Sequence, residues 1–167
     1  TISDNVKTIS NYMFAGIKMN SLSIPNSVTK IGKHAFDGCS TLSSLNIPNN
    51  LTEIEEYTFS GCSSLASLII PAKVTRIGDY AFYNTMLDNA ELVNVDKIGA
   101  YAFAGTKIDT ATLKTGVEIG DGAFANCAKL KTVNNLENAK TIGAKAFSGT
   151  ALEEVTLTNV VSIGDFA

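Results

Sequence analysis

The apolar positions of this chain repeat on the scale of a whole supersecondary unit. Isoleucine recurs at Ile9, Ile31, Ile54, Ile77, Ile98, Ile119, Ile142 and Ile163, in steps of 22, 23, 23, 21, 21, 23 and 21 residues. Around Ile31, Ile77, Ile98, Ile119 and Ile142 the pattern is I-G-x-x-A-F. Ile9 and Ile54 open degenerate copies, and the copy at Ile163 ends at Ala167. A period of this length belongs to a solenoid, in which each repeat is one turn that buries its apolar face only by stacking on its neighbours.

Within each repeat the pattern predicts the local elements. One apolar slot holds Leu22, Leu45, Leu68, Ala90, Ala111, Val133 and Val155; two residues on, another holds Ile24, Ile47, Ile70, Leu92, Leu113 and Leu157. One extra residue precedes the equivalent Leu136. Alternation of this kind predicts a short strand with one buried face, and stacking predicts one continuous parallel sheet. A second apolar pair, such as Val28/Ile31 or Val74/Ile77, predicts another extended segment on the opposite side. Adjacent Ala and Phe then break strand alternation, which predicts one short helical turn per repeat, with the phenylalanines stacked as a spine. The residue two after each Phe is always Gly or Asn, from Gly16 to Gly149, a column suited to positive φ. The I-G glycine is replaced by Ser10 and Glu55, so it reads as a close-approach or bulge position and not as an obligatory positive-φ site.

Combined in one 23-residue unit, L-x-x-L-x-I-P, V-T-x-I-G and A-F-x-G-C resemble the BspA-like leucine-rich repeat proteins of bacterial and protist cell surfaces; residues 42–64 carry the likeness most fully. The repeats after Asp88 depart from it by losing the proline and shortening to 21 or 22 residues. The resemblance implies a right-handed leucine-rich-repeat solenoid of α/β class and a surface-exposed binding or adhesion role. The chain divides as one domain over 1–167. A partial repeat covers 1–18, full repeats cover 19–41, 42–64, 65–86, 87–107, 108–129 and 130–151, and a partial repeat covers 152–167. Because both boundaries cut a repeat, the expectation is a segment of a longer protein.

Charge narrows the function. Lys and Arg total 13 against 16 Asp and Glu, and no run of either sign is present, which argues against nucleic acid and anionic membranes as partners. No apolar stretch approaches the roughly 20 residues that a bilayer span needs. Lys30, Glu53, Arg76, Lys97 and Glu118 precede the I-G motif on successive repeats, where opposite signs favour stacking slightly.

Candidate chemistry is sparse. His34, the one histidine, shares its column with Tyr12, Tyr57, Tyr80, Tyr101, Gly122, Lys145 and Phe166, which reads as a flanking position and not as the base of a triad. Cys39, Cys62 and Cys127 share a small, largely buried slot with Ile17, Thr85, Thr106 and Thr150, which reads as free thiols. No C-x-x-C, acidic calcium loop or paired carboxylates are found, so the reading is non-catalytic, with no cofactor and no metal.

Function is expected on the outward positions of the sheet. Asn46, Ile69, Glu91, Thr112 and Thr156, with Glu154 beside them, form a shallow polar face on which Ile69, Glu91 and Glu154 interrupt a lattice of Ser, Thr and Asn. These six are the expected partner-binding residues. Taken with the resemblance, they suggest a cell-surface or secreted module that binds an extracellular protein or glycan, host matrix proteins and other cells included. The alternative is a purely structural spacer. The tyrosine column, with Tyr83 beside it, is a second candidate surface.

Overall fold

The computed structural model describes residues 2–167, which wind into a parallel β-solenoid of about seven turns. Each turn places one extended segment on either side of a continuous apolar interior. On the I-G side the strands are β1 (Thr8–Ile9), β3 (Lys30–Ile31), β5 (Glu53–Ile54), β6 (Arg76–Ile77), β8 (Lys97–Ile98), β10 (Glu118–Ile119), β12 (Thr141–Ile142) and β13 (Ser162–Ile163). On the other side are β2 (Ser21–Leu22), β4 (Ser44–Leu45), β7 (Asn89–Leu92), β9 (Thr110–Leu113) and β11 (Thr132–Asn134).

The expected continuous sheet is divided, and the longer ladder lies on the I-G side. There β5, β6, β8, β10, β12 and β13 pair in sequence, while β1–β3 forms a separate pair. On the L-x-x-L side only β2–β4 and β7–β9–β11 pair among the described residues. Proline explains much of this. Pro25, Pro48 and Pro71 end the strand in the earlier repeats and remove a ladder donor, leaving two-residue strands and none over 67–70. Without proline, β7 and β9 extend to four residues.

The expected helical turn is also corrected. From His34 to Cys39, alternate amides close local turns: Ala35 donates to the Gly32 carbonyl (3.2 Å), Asp37 to His34 (3.2 Å) and Cys39 to Phe36 (3.1 Å). The amides between them donate to the next rung: His34 to the Glu56 carbonyl (3.1 Å), Phe36 to Thr58 (2.9 Å) and Gly38 to Ser60 (2.7 Å). A helix directs every amide backwards along its own turn, whereas here half of them build the ladder. Left-handed backbone at both His34 (φ 56) and Gly38 (φ 70) likewise precludes a helix. Among the described residues the one helical element is a 3-10 turn at Leu136–Asn138, where the extra residue is absorbed with Asn135 at φ 65.

The phenylalanine spine is present. Phe36, Phe59, Phe82, Phe103 and Phe124 are wholly buried, with successive rings 5.2 to 5.4 Å apart from Phe14 to Phe147. The cysteine slot is buried too, and all three thiols are free. Cys39 Sγ donates to the Phe14 carbonyl (2.9 Å), Cys62 Sγ to Phe36 (3.2 Å) and Cys127 Sγ to Phe103 (3.1 Å). Thr85 Oγ1 donates instead to Phe82 of its own turn (3.0 Å). A short donor that reaches a phenylalanine carbonyl recurs in the slot, although Thr106 Oγ1 meets Cys127 Sγ instead at 3.2 Å and Ile17 has no donor. Burial pushes the Cys62 thiol up to about 12 and raises Cys127 and Cys39 as well.

The I-G glycines stand where rungs come closest. A Cβ on Gly78 would meet Glu56 N at 2.6 Å and Glu55 C at 2.7 Å, and one on Gly120 would meet Ala100 N at 2.8 Å. Of the expected ion pairs, Arg76–Glu53 forms at 3.3 Å, whereas Lys30 reaches Glu55 at 3.5 Å. Lys140–Glu118 (2.7 Å), Lys33–Glu56 (3.0 Å) and Lys114–Asp96 add further bridges.

Candidate recognition face

The six residues expected to bind a partner fall into three zones on the L-x-x-L side. Asn46 and Ile69 border the first, a hollow of about 330 Å³ between the third and fourth rungs. Asn46 is engaged within the protein: its Oδ1 accepts the Ile24 amide at 3.0 Å, and its Nδ2 donates to the Ile24 carbonyl at 2.8 Å. Ile69, an aliphatic side chain, is 85% exposed.

Glu91 and Thr112 make the second zone. They face each other in register across β7 and β9, where the Thr112 hydroxyl donates to Glu91 Oε1 at 3.2 Å. Asn134 of β11 continues the row by donating from Nδ2 to Thr112 Oγ1 at 3.3 Å. The row is an exposed strip of a carboxylate, a hydroxyl and an amide, with its outer edge open to solvent.

Glu154 and Thr156 lie in the third zone, beyond β11, where residues 154–157 form no strand. They line a hollow of about 240 Å³ with Lys131 and Thr132. The structure therefore brings Glu91 to Thr112, Asn46 to Ile69, and Glu154 to Thr156, and it does not gather all six around one cavity.

The His34 column differs more from expectation. Its ring is stacked between Tyr12 (4.6 Å) and Tyr57 (4.5 Å), and the stack continues through Tyr80 (4.8 Å) to Tyr101 (5.1 Å). Tyr83 meets Tyr80 edge-on at 5.5 Å. His34 Nδ1 is also hydrogen-bonded to Asp37 Oδ2 at 2.8 Å, so its faces and one nitrogen are occupied. Desolvation, followed by the neighbouring phenols of Tyr57 and Tyr101, raises the Tyr80 hydroxyl above its ordinary value. Sequence reasoning missed that this column needs left-handed backbone, with φ between 54 and 58 from Tyr12 to Phe166. Gly122 within the column was the available signal. Among the described residues, no group of three or more His, Cys, Asp or Glu side chains is disposed to hold a metal ion.

The comparisons with known proteins bear on this geometry. A model of the BspA type Leucine rich repeat region (6 copies) matches residues 1–108 and 92–167. The chain belongs to the BspA-type leucine rich repeat family. A comparison with curated proteins yields no match. Among solved structures, a T. pallidum Leucine Rich Repeat protein is 31% identical with a TM-score of 0.84, covering 97% of this chain and 80% of its own. A leucine-rich repeat protein from Bacteroides ovatus is 27% identical with a TM-score of 0.73; the match covers 95% of this chain and 49% of that one. A leucine rich cell surface protein from Faecalibacterium prausnitzii shares the fold at 24% identity and a TM-score of 0.61, over 100% of this chain and 53% of that one. This BspA-type chain thus spans about half the length of two of these relatives. None of its described helices is long and apolar enough to cross a membrane.

Proposed function

We propose that this chain is a non-catalytic recognition module of a cell-surface or secreted protein, which engages an extracellular protein or glycan through the L-x-x-L face. The observation that carries the reading is Ile69, an aliphatic side chain 85% exposed beside a hollow that Leu45 and Leu68 line together with the polar Asn46, Asn49 and Ser67. An exposed apolar residue within a polar rim is a common feature of interaction sites. The description of the Faecalibacterium relative as a cell surface protein supports the location. On a surface that displays many copies, weak contacts at each module combine into avidity.

A second reading, a structural spacer, draws support from the internal hydrogen bonds of Asn46 and Thr112, which occupy groups a partner would need. The two readings separate in a scan of Glu91→Thr, Glu154→Thr and Ile69→Thr, singly and together. Each variant is assayed for binding to extracellular-matrix proteins, glycan arrays and cells, beside circular dichroism. A recognition module loses binding with its spectrum unchanged; equal binding by the folded triple variant removes this face from consideration.

A further inference from the structure

We propose that the hollow between the third and fourth rungs is a primary-carboxamide subsite, which accepts an Asn or Gln side chain of a protein partner. The inference rests on the recognition-face reading and names the chemistry that one part of that face selects. Its basis is a contact that the protein makes with itself one rung earlier.

There, the Asn46 carboxamide closes on a single backbone residue, accepting the Ile24 amide (3.0 Å) and donating to the Ile24 carbonyl (2.8 Å). In an extended segment the N–H and C=O of one residue project to the same side, so the partner must offer an acceptor and a donor on one edge. A primary carboxamide does so. A trans secondary amide holds its N–H and C=O on opposite edges and makes only one of the two bonds.

The next rung has the same backbone without the side chain. Ile47 is equivalent to Ile24, yet among the described residues neither its amide nor its carbonyl has a hydrogen-bond partner, and the facing rung forms no strand over 67–70. The residue in the Asn46 column one rung on is Ile69, which has no polar atom to offer and points into solvent. The space that a carboxamide would occupy is the hollow of about 330 Å³ walled by Leu45, Asn46, Ser67, Leu68 and Ile69. A partner amide entering it would satisfy both Ile47 groups, as Asn46 satisfies those of Ile24. Apolar residues flanking that amide would pack on Leu45, Leu68 and Ile69. A carboxylate offers acceptors alone and sets one against the Ile47 carbonyl. The acetamido group of an N-acetylated sugar is a secondary amide, so the same geometry disfavours it.

The test is a titration of the ¹⁵N-labelled chain, followed by NMR, with the peptide acetyl-Leu-Asn-Leu-N-methylamide. Its Asp counterpart and N-acetylglucosamine serve as comparison probes. The Asn peptide is expected to move the Ile47, Leu68 and Ile69 amide resonances saturably, and the other two probes to leave them in place. Ile69→Asn supplies an internal amide, so it is expected to keep the wild-type spectrum elsewhere and to weaken the peptide by at least about tenfold. Ile69→Thr removes one apolar wall but leaves the Ile47 backbone open, so it is expected to weaken the peptide less than Ile69→Asn does and still to move the Ile47 amide. Equal shifts from the Asp peptide or the sugar, undiminished binding by Ile69→Asn, or no shift at Ile47 would each overturn the subsite. Shifts confined to Glu91, Thr112 and Asn134 would overturn it while leaving the recognition face standing. Saturable shifts at Ile47 alongside an unaffected binding scan would do the reverse.

Discussion

Gly78 donates its amide to the Ile54 carbonyl at 2.7 Å, and the equivalent bond from Glu55 to Ile31 is absent. Gly32, Gly99, Gly120, Gly143 and Gly164 all make this bond at 2.8 Å. The one described rung-to-rung step without it is the one where glutamate holds the glycine slot, and there the I-G ladder divides between β3 and β5. A Cβ at this slot meets the backbone of the rung below, so the missing side chain is what lets adjacent rungs approach to bonding distance.

Gly78→Ala should therefore lower stability by about 1–3 kcal/mol, because the clash is with backbone that cannot rotate away. Denaturant unfolding with an unchanged m-value would measure it. Glu55→Gly should be nearly neutral in stability, since the regained hydrogen bond is offset by glycine's extra chain entropy. Slow hydrogen exchange at residue 55 is its expected signature, and fast exchange would rule out the closure.

The stacked rings of His34 and Tyr57, 6° from parallel, should be energetically coupled. A double-mutant cycle with His34→Ala and Tyr57→Ala is expected to return about 0.5–1.5 kcal/mol. A coupling within error of zero would reduce the column to side chains that are merely adjacent.

Asn46→Ala removes both partners of the Ile24 backbone. The expected loss is about 1–3 kcal/mol, the cost of leaving a buried polar group unpaired. Asn46→Asp keeps an acceptor for the amide and loses the donor to the carbonyl, so it should fall between Ala and wild type at neutral pH. Equal melting temperatures for wild type and Asn46→Ala would show that the bridge contributes nothing.

Alkaline pH should destabilise the chain through its thiols. Folding raises the Cys62 pKa to about 12 from an ordinary 9.0, so the folded state holds a proton that the unfolded state releases. The stabilisation is full below pH 9.0 and is lost as pH rises toward 12. Cys62→Thr, a residue that other repeats carry in this slot, should keep neutral stability and flatten the alkaline decline. An equally steep decline in that variant would assign it to other groups.

Phe59→Ala should cost about 3–5 kcal/mol, because the ring is stacked above and below and leaves a cavity. In a solenoid the damage spreads to neighbouring rungs, so hydrogen exchange should quicken first in the turns that carry Phe36 and Phe82. A melt within a degree of wild type would show that the spine is dispensable.

The repeat, its period, the Phe spine, the cysteine slot and the Gly/Asn column were all legible in the sequence. Each is a demand that one side chain or one φ value imposes on its own position, repeated until the pattern is unmistakable. Gly38 shows the logic: residues confined to Gly and Asn pointed to positive φ, and the backbone adopts 70° there. The turn around Phe36 was misread as helical, because adjacent Ala and Phe report only that both are buried. They carry no record of where the intervening amides point.

That direction is a property of two rungs together, and only the tertiary structure decides it. The same holds for the breaks in the ladders: Glu55 and Ile69 each look like an ordinary substitution in one repeat. Their effect appears in the bond that the Ile31 carbonyl or the Ile47 backbone fails to receive from the rung above. Sequence periodicity specifies what each turn of a solenoid buries. Hydrogen bonding between turns depends on the pairing of unlike neighbours, and it is there that the hollow beside Ile69 arises.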